Sequence, residues 1–205
     1  MDPWLLNAAR RAIGFMPDDE GIALYEAALE AAERGPLLEI GSYCGKSTLY
    51  LGAAARENDT VVFSIDHHRG SEEHQPGAEY HDPALIDDQG QVDTLATFRR
   101  TIERADLSDV VVTIVADSRV AAKAWATPVA MVFIDGGHSS EAARADYECW
   151  TPHLLPGGLL AIHDVFEDPA EGGRPPFEIY RRALDSGTVR EISATGSLRV
   201  LRRTR

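Results

Sequence analysis

The chain has 205 residues, 44% of them hydrophobic, and a formal charge of −13 at pH 7. That size and apolar content suit one domain with a full-sized core. The acidic balance, with no Lys/Arg stripe, argues against nucleic acid as a partner, and no apolar run is long enough to span a bilayer.

The opening stretch MDPWLLNAARRAIGF has no basic start, apolar block and small-residue cleavage site, so no signal peptide is expected. Cys44 and Cys149 make no disulfide framework, and a reducing cytoplasm is the simplest setting. Trp4, Leu5, Leu6, Ile13 and Phe15 form an amphipathic start. It could cover the active site or pack on the second subunit of a homodimer; core packing is the simpler reading. A helix is predicted over 18–34, capped by Asp18 or Asp19, with Ile22, Tyr25, Leu29 and Ala32 on its buried face and Gly35-Pro36 as its stop. Residues 1–35 thus read as a helical extension to a core of 36–205.

From there strands and helices alternate: a strand over 37–41, a helix over 46–56, a strand over 61–66, and a long polar loop over 67–90. A helix over 91–105 buries Val92, Leu95, Phe98 and Ile102. A strand over 110–115 and a helix near 118–126 follow, then a strand over 129–135 and a helix over 140–154 with Ala143, Tyr147 and Trp150 on one side. The PGG at 156–158 reads as a break before the fifth strand, LLAIHD. One more helix follows EGGRPP, and two short strands close the chain. The apolar runs are continuous rather than alternating, as in parallel strands covered on both faces. The fold class is therefore α/β, a doubly wound, mostly parallel sheet with an antiparallel end. Ligands of such sheets bind beyond the carboxyl ends of the strands, at the switch point.

The strand ends carry acids throughout. They are Glu39 with Gly41, Asp66, Asp117 with Ser118, Asp135 followed by Gly136-Gly137-His138, and His163-Asp164. Helix capping explains one such acid more easily than all of them. The first turn, LLEIGSYCGKST, is one residue short of a phosphate-cradling loop, and Ile40 stands where that loop needs its first glycine. It also lacks the G-x-G-x-x-G spacing of a dinucleotide site. An acid at the position of Asp66, some twenty residues past the glycine turn, suits the two hydroxyls of a ribose. An adenosine ligand without a triphosphate follows, with an ATPase-like reading of MVFID as the minor alternative.

These residues resemble class I S-adenosylmethionine-dependent methyltransferases over about 37–165, through LEIGSYCGKST, the ribose acid, Asp117 and FIDGGHS…LLPGGLLAIHDV. The resemblance implies a seven-stranded Rossmann-like sheet and an S-adenosylmethionine site. Glu39, Gly41 and Gly45 would border the methionine part, Asp66 the ribose, and Asp117 and Ser118 the adenine, with Ser42, Ser47 and Asp135 as further cofactor contacts. A cofactor with a sulfonium and no phosphate suits a short turn in an acidic pocket.

The block D-G-G-H with an acidic pair at strand five is similar to the metal-dependent deoxysugar O-methyltransferases of macrolide biosynthesis. By that resemblance Asp135 and Asp164 would bind Mg²⁺ or another divalent cation, with His163 beside them as a third candidate ligand, and His138 would be the catalytic base beside Asp135. His163 departs from the pattern, which has an acid there; imidazole is softer than Mg²⁺ usually takes, so either His163 points elsewhere or the metal differs. Apart from the resemblance, the two aspartates could cap a helix and pair with an arginine, and His138 could bond a local carbonyl.

The loop DHHRGSEEHQPGAEYHDP holds four of the seven histidines. Its imidazoles and acids suit sugar hydroxyls and Tyr80 offers a stacking face, so His67, His68, Glu72, Tyr80 and His81 are the expected acceptor contacts, against the alternative of a solvated loop. The loop is also similar to that of small actinobacterial methyltransferases that cap a mannoside hydroxyl in methylmannose polysaccharide synthesis. The acceptor is then a small molecule or oligosaccharide, methylated at O1 of a short mannoside. A phenolic acceptor of catechol type and a non-catalytic nucleotide-binding domain are the alternatives. EDPAEGGRPP is a second flexible segment, lid or linker, and Cys44 is read as a packing residue.

Overall fold

The computed structural model describes residues 1–78, 80–137 and 139–204. The continuous apolar runs become β1 (Leu37–Ile40), β2 (Val62–Asp66), β3 (Val111–Val115), β4 (Val129–Ile134) and β5 (Leu154–Ile162), followed by β6 (Val189–Thr195) and β7 (Leu198–Arg203). Among the described residues they form one sheet of order β3-β2-β1-β4-β5-β7-β6. β1 to β5 are parallel, and β7 is antiparallel to both β5 and β6. The chain steps from β1 outward to β3, then returns to the other side of β1 as β4. The switch point therefore lies between the carboxyl ends of β1 and β4.

Both faces are covered. On one, α1 (Pro3–Arg11), α2 (Asp18–Ala32), α3 (Lys46–Glu57) and α4 (Leu95–Arg104) bury Leu5, Leu24, Tyr50, Phe98 and Phe133. On the other, α5 (Ser118–Ala122), α6 (Ser140–Trp150) and α7 (Arg174–Asp185) bury Trp150, Ile65, Val132 and Ile179. No helix among the described residues is long and apolar enough to cross a membrane.

Several expectations are corrected. The buried face of α2 is Gly21, Leu24, Tyr25, Ala28, Ala31 and Ala32, while Ile22 is exposed. Small residues win there because α2 lies tight on α3: a Cβ at Gly21 would fall 2.4 Å from the Tyr50 ring. Neither Asp18 nor Asp19 caps the helix, whose N-cap is Pro17, and Asp18 pairs with Arg10 instead. Val92 precedes α4, in a bridge with Ile86, because Asp93 turns the chain by accepting the Leu95 amide. α5 stops at Ala122, and α6 ends at Trp150 before a short turn containing Pro152. The PGG does not break β5, which starts at Leu154 and absorbs it as a register shift opposite Val129–Met131.

Glu39 is the largest correction. It points into the core, fully buried, and lines neither of the two cavities described below. Its carboxyl accepts from Ser47 Oγ (2.5 Å), Thr48 Oγ1 (2.6 Å) and Ser64 Oγ (2.8 Å), tying β1 to the first turn of α3 and to β2. Burial outweighs these three bonds and pushes its pKa from 4.5 up to about 7. The folded state therefore holds a proton that the unfolded state releases, so stability falls as pH rises between 4.5 and 7. Urea titrations across that window should show wild type losing stability relative to Glu39→Gln. An unchanged difference would mean that Glu39 does not titrate there.

Candidate functional site

At the switch point β1 and β4 end almost in contact. The Asp135 amide donates to the Ile40 carbonyl at 2.9 Å, and Gly41 turns away with φ +84°. A Cβ at Gly41 would lie 2.1 Å from the Asp135 carbonyl oxygen, so only glycine allows this approach. The turn is then held by Asp66: its Oδ2 accepts from the Ser42 and Tyr43 amides at 2.9 and 2.8 Å, and its Oδ1 from the His68 amide at 2.7 Å. Gly45, with φ +93°, starts α3 under Phe98 and lines neither of the two cavities that open here.

Two cavities open at this junction. The first, about 500 Å³, runs over the ends of β1, β2 and β4, between Asp66, His67, Asp117, Ser118, Asp135 and Asp146. Its wall also carries Glu72, Glu73 and Glu141, against a single arginine, Arg119, which is bound to Asp117 and Glu141. Asp117 caps α5 through the Arg119 amide, and the Arg119 guanidinium holds its carboxyl below the usual range. Ser118 Oγ donates to Asp146 and accepts from Trp150 Nε1 at 3.0 Å. Burial raises Asp146 to about 6. This volume fits a nucleoside-sized ligand, and the net negative wall favours a cationic one.

The second cavity, about 630 Å³, lies over β5 and the start of α3, walled by Ile13–Met16, Ser42, Lys46, Ser47, Tyr80, His163, Asp164 and Phe166. The segment Pro169–Gly173 forms another wall. Gly41, Tyr43, Ser71, Glu73, His74, Asp135 and Gly136 line both cavities. Over the junction Tyr43 stacks on His74 at 4.7 Å, and Phe15 meets Tyr80 edge-on at 5.0 Å. Ser42 Oγ is buried here without a hydrogen-bond partner among the described residues.

On the wall of the second cavity, reaching the junction through Asp135, sits a cluster of Asp135, His163 and Asp164, whose candidate ligand atoms lie within 4.8 Å of one another. His163 Nδ1 is 3.0 Å from Asp135 Oδ1 and 3.4 Å from Asp164 Oδ2; Nε2 is 2.6 Å from Glu20 Oε2. Burial disfavours charge on this imidazole, but the three carboxylates outweigh it and raise its pKa well above the ordinary value. The cluster draws positive charge, and two carboxylate oxygens and a ring nitrogen this close together fit a divalent cation, which would replace the Nδ1 proton.

The sequence matches a family described as a methyltransferase domain over residues 38–165. The chain belongs to that methyltransferase family. Similar solved structures include the O-methyltransferase TomG from Streptomyces achromogenes, involved in tomaymycin synthesis and in complex with SAM (15% identity, TM-score 0.66, covering 100% of this chain and 91% of that one). The O-methyltransferase NovP is similar at 17% identity and TM-score 0.73, covering 98% and 88%. An O-methyltransferase from Bacillus cereus in complex with SAH is similar at 18% identity and TM-score 0.63, covering 98% and 88%. At these identities the likeness shows a shared fold.

Of the residues expected at the site of this methyltransferase, Gly41, Asp66, His67, Glu72, Asp117, Ser118 and Asp135 line the first cavity. Ser42, Ser47, Tyr80, His163 and Asp164 line the second, together with Gly41 and Asp135. His138 lies outside the described residues. Two loop histidines stand apart from the expected acceptor contacts: neither lines either of these two cavities. His68 is buried on Phe98 with Nδ1 at 2.8 Å from Thr94 Oγ1, pinning the loop to α4. His81 bonds the His74 carbonyl through Nδ1 at 3.2 Å. The loop is thus braced by its own bonds, including Arg69 to Asp87. Sequence reasoning missed His74, Asp146, Tyr43 and Glu20, and it preferred core packing for the N-terminal stretch whose Ile13–Met16 segment walls the second cavity. Cys44 is buried and its thiol is pushed up to about 12 by burial, which fits a packing role.

Asp66→Ala should free three backbone amides and cost about 1–3 kcal/mol. Amide hydrogen exchange at Ser42, Tyr43 and His68 should accelerate; unchanged protection there would show that other contacts hold the turn.

Proposed function

We propose that this methyltransferase moves a methyl group from S-adenosylmethionine to a sugar hydroxyl with the help of a divalent cation. One observation carries the reading: two separate cavities of ligand size meet at Gly41, Asp135 and Gly136, at the switch point of the sheet. A donor in the first and an acceptor in the second would have their reacting atoms brought together there.

The first cavity suits the donor. Asp66 and His67 lie where a ribose would rest, Asp117 and Ser118 along a base, and Gly41 admits the ligand close to the backbone. The cofactor, when bound, supplies a methyl group on a positively charged sulfur. The acidic wall favours that cation over the neutral thioether left after transfer. The similar structures named above are O-methyltransferases, two of them holding SAM or SAH, which supports both the donor and an oxygen acceptor.

The second cavity suits a hydroxyl-rich ring. Phe15, Tyr80 and Phe166 offer apolar faces, and Glu73, Asp164 and Glu171 offer acceptors for hydroxyl protons. Asp135 and Asp164, with His163, would hold a cation, which when bound would acidify the acceptor hydroxyl. In the transfer the acceptor oxygen forms a bond to the methyl carbon, the carbon–sulfur bond breaks, and its electron pair stays on sulfur. His138, three residues past Asp135 in sequence, takes the hydroxyl proton. O1 of a short mannoside is the acceptor that the loop resemblance favours. The aromatic wall gives a phenolic acceptor a hearing, and a panel of mannosides beside catechols separates the two.

Calorimetric titration with S-adenosylhomocysteine should give clear binding, and ATP none. ATP binding without S-adenosylhomocysteine binding would replace this reading with that of a nucleotide-binding domain. His138→Ala should lower turnover by roughly 10²–10⁴-fold with S-adenosylhomocysteine affinity unchanged; a wild-type rate would move the base to another histidine.

A further inference from the structure

An imidazole stands where a carboxylate would serve Mg²⁺, and the geometry leaves it no other direction. His163 ends β5 with only 4% of its surface exposed and packs edge-on against Phe133. Its Nε2 side is closed by Glu20 at 2.6 Å, so Nδ1 faces Asp135 and Asp164. Glu20 is itself fixed. It is 4% exposed and accepts from the Ser197 amide at 2.6 Å and from Ser197 Oγ at 3.1 Å. The turn before Ser197 is shaped around it: Gly196 has φ +51°, and a Cβ there would fall 2.0 Å from Glu20 Oε1. A carboxylate of α2 and a turn between β6 and β7 thus converge on one ring nitrogen.

Ligating histidines usually donate their far N–H to a carboxylate, which fixes the tautomer and aims the other nitrogen at the metal. Glu20 is placed to do this for His163. Mg²⁺ prefers carboxylates and waters, whereas imidazole suits the borderline transition ions.

We propose that Glu20 orients His163 as a nitrogen ligand beside Asp135 and Asp164, and that this mixed site prefers a first-row transition dication, Zn²⁺ above all, over Mg²⁺. This rests on the cation half of the function proposed above and deepens it. Glu20 is a positioning residue, acting only through His163.

The test is metal binding by the full chain, stripped of metal and without cofactor. Mn²⁺, Zn²⁺ and Mg²⁺ are titrated calorimetrically, and the Mn²⁺ form is examined by electron spin-echo spectroscopy for coupling to ¹⁴N. Wild type should bind Mn²⁺ and Zn²⁺ more tightly than Mg²⁺ and show the nitrogen coupling, and His138→Ala should keep it. His163→Asp should lose the coupling and shrink the Mn²⁺/Mg²⁺ preference by about tenfold or more. Glu20→Gln should weaken Mn²⁺ by roughly 10–100-fold with less effect on Mg²⁺. No nitrogen coupling in wild type, or an unchanged preference in His163→Asp, overturns the proposal. If His163→Asp does not fold, the spectra of wild type and His138→Ala decide alone. S-adenosylhomocysteine binding on the same preparation separates the outcomes. Binding of the nucleoside with no dication binding removes the cation half alone, and loss of both removes the whole reading.

Discussion

The site depends on the close approach of Gly41 to the Asp135 carbonyl. The hydrogen bond from the Asp135 amide to Ile40 brings the ends of β1 and β4 together, and the missing Cβ at 41 lets the chain turn there. Any side chain at 41 would push the turn off β4 and separate the two cavities that share this floor. Asp66 then fixes the turn with three amide bonds, and Glu39 fixes the helix behind it with three hydroxyl bonds. Two of the acids at the strand ends thus hold the scaffold, and Asp66 does so while also facing the first cavity.

That division explains what was legible in the sequence. Five continuous apolar runs, each ending in an acid or beside one, were enough for the sheet, its parallel core and the end of the sheet where the two cavities open. Single-residue roles were harder because they depend on which way a side chain points. His67 and His68 are neighbours in one motif, yet one faces the cavity and the other the core, because the chain turns at His68, whose φ is +57°. Glu39 sits on a strand buried on both faces, where an acid can only turn inward, and its partners Ser47, Thr48 and Ser64 come from two other elements. Glu20 is 143 residues from His163 in the chain, and its role follows from how α2 docks, which no local pattern encodes.

The N-terminal helices and the long loop take on meaning in the same way. α1 packs into the core through Leu5 and Ala9, and the Ile13–Met16 segment after it walls the second cavity. The loop brings Ser71, Glu73 and His74 over both cavities, with His74 on Tyr43. Donor and acceptor would therefore share one aromatic roof, and this roof is assembled from three separate stretches of chain.

The central claim is that the two cavities take different ligands and meet at the reacting atoms. A crystal structure with S-adenosylhomocysteine tests it most directly. The nucleoside should lie in the first cavity, between Asp66 and Asp117, and the sulfur beside Gly41 and Asp135, with the cavity under Phe15 and Tyr80 left open for an acceptor. A nucleoside lying in the second cavity, or a sulfur remote from Asp135, would contradict it.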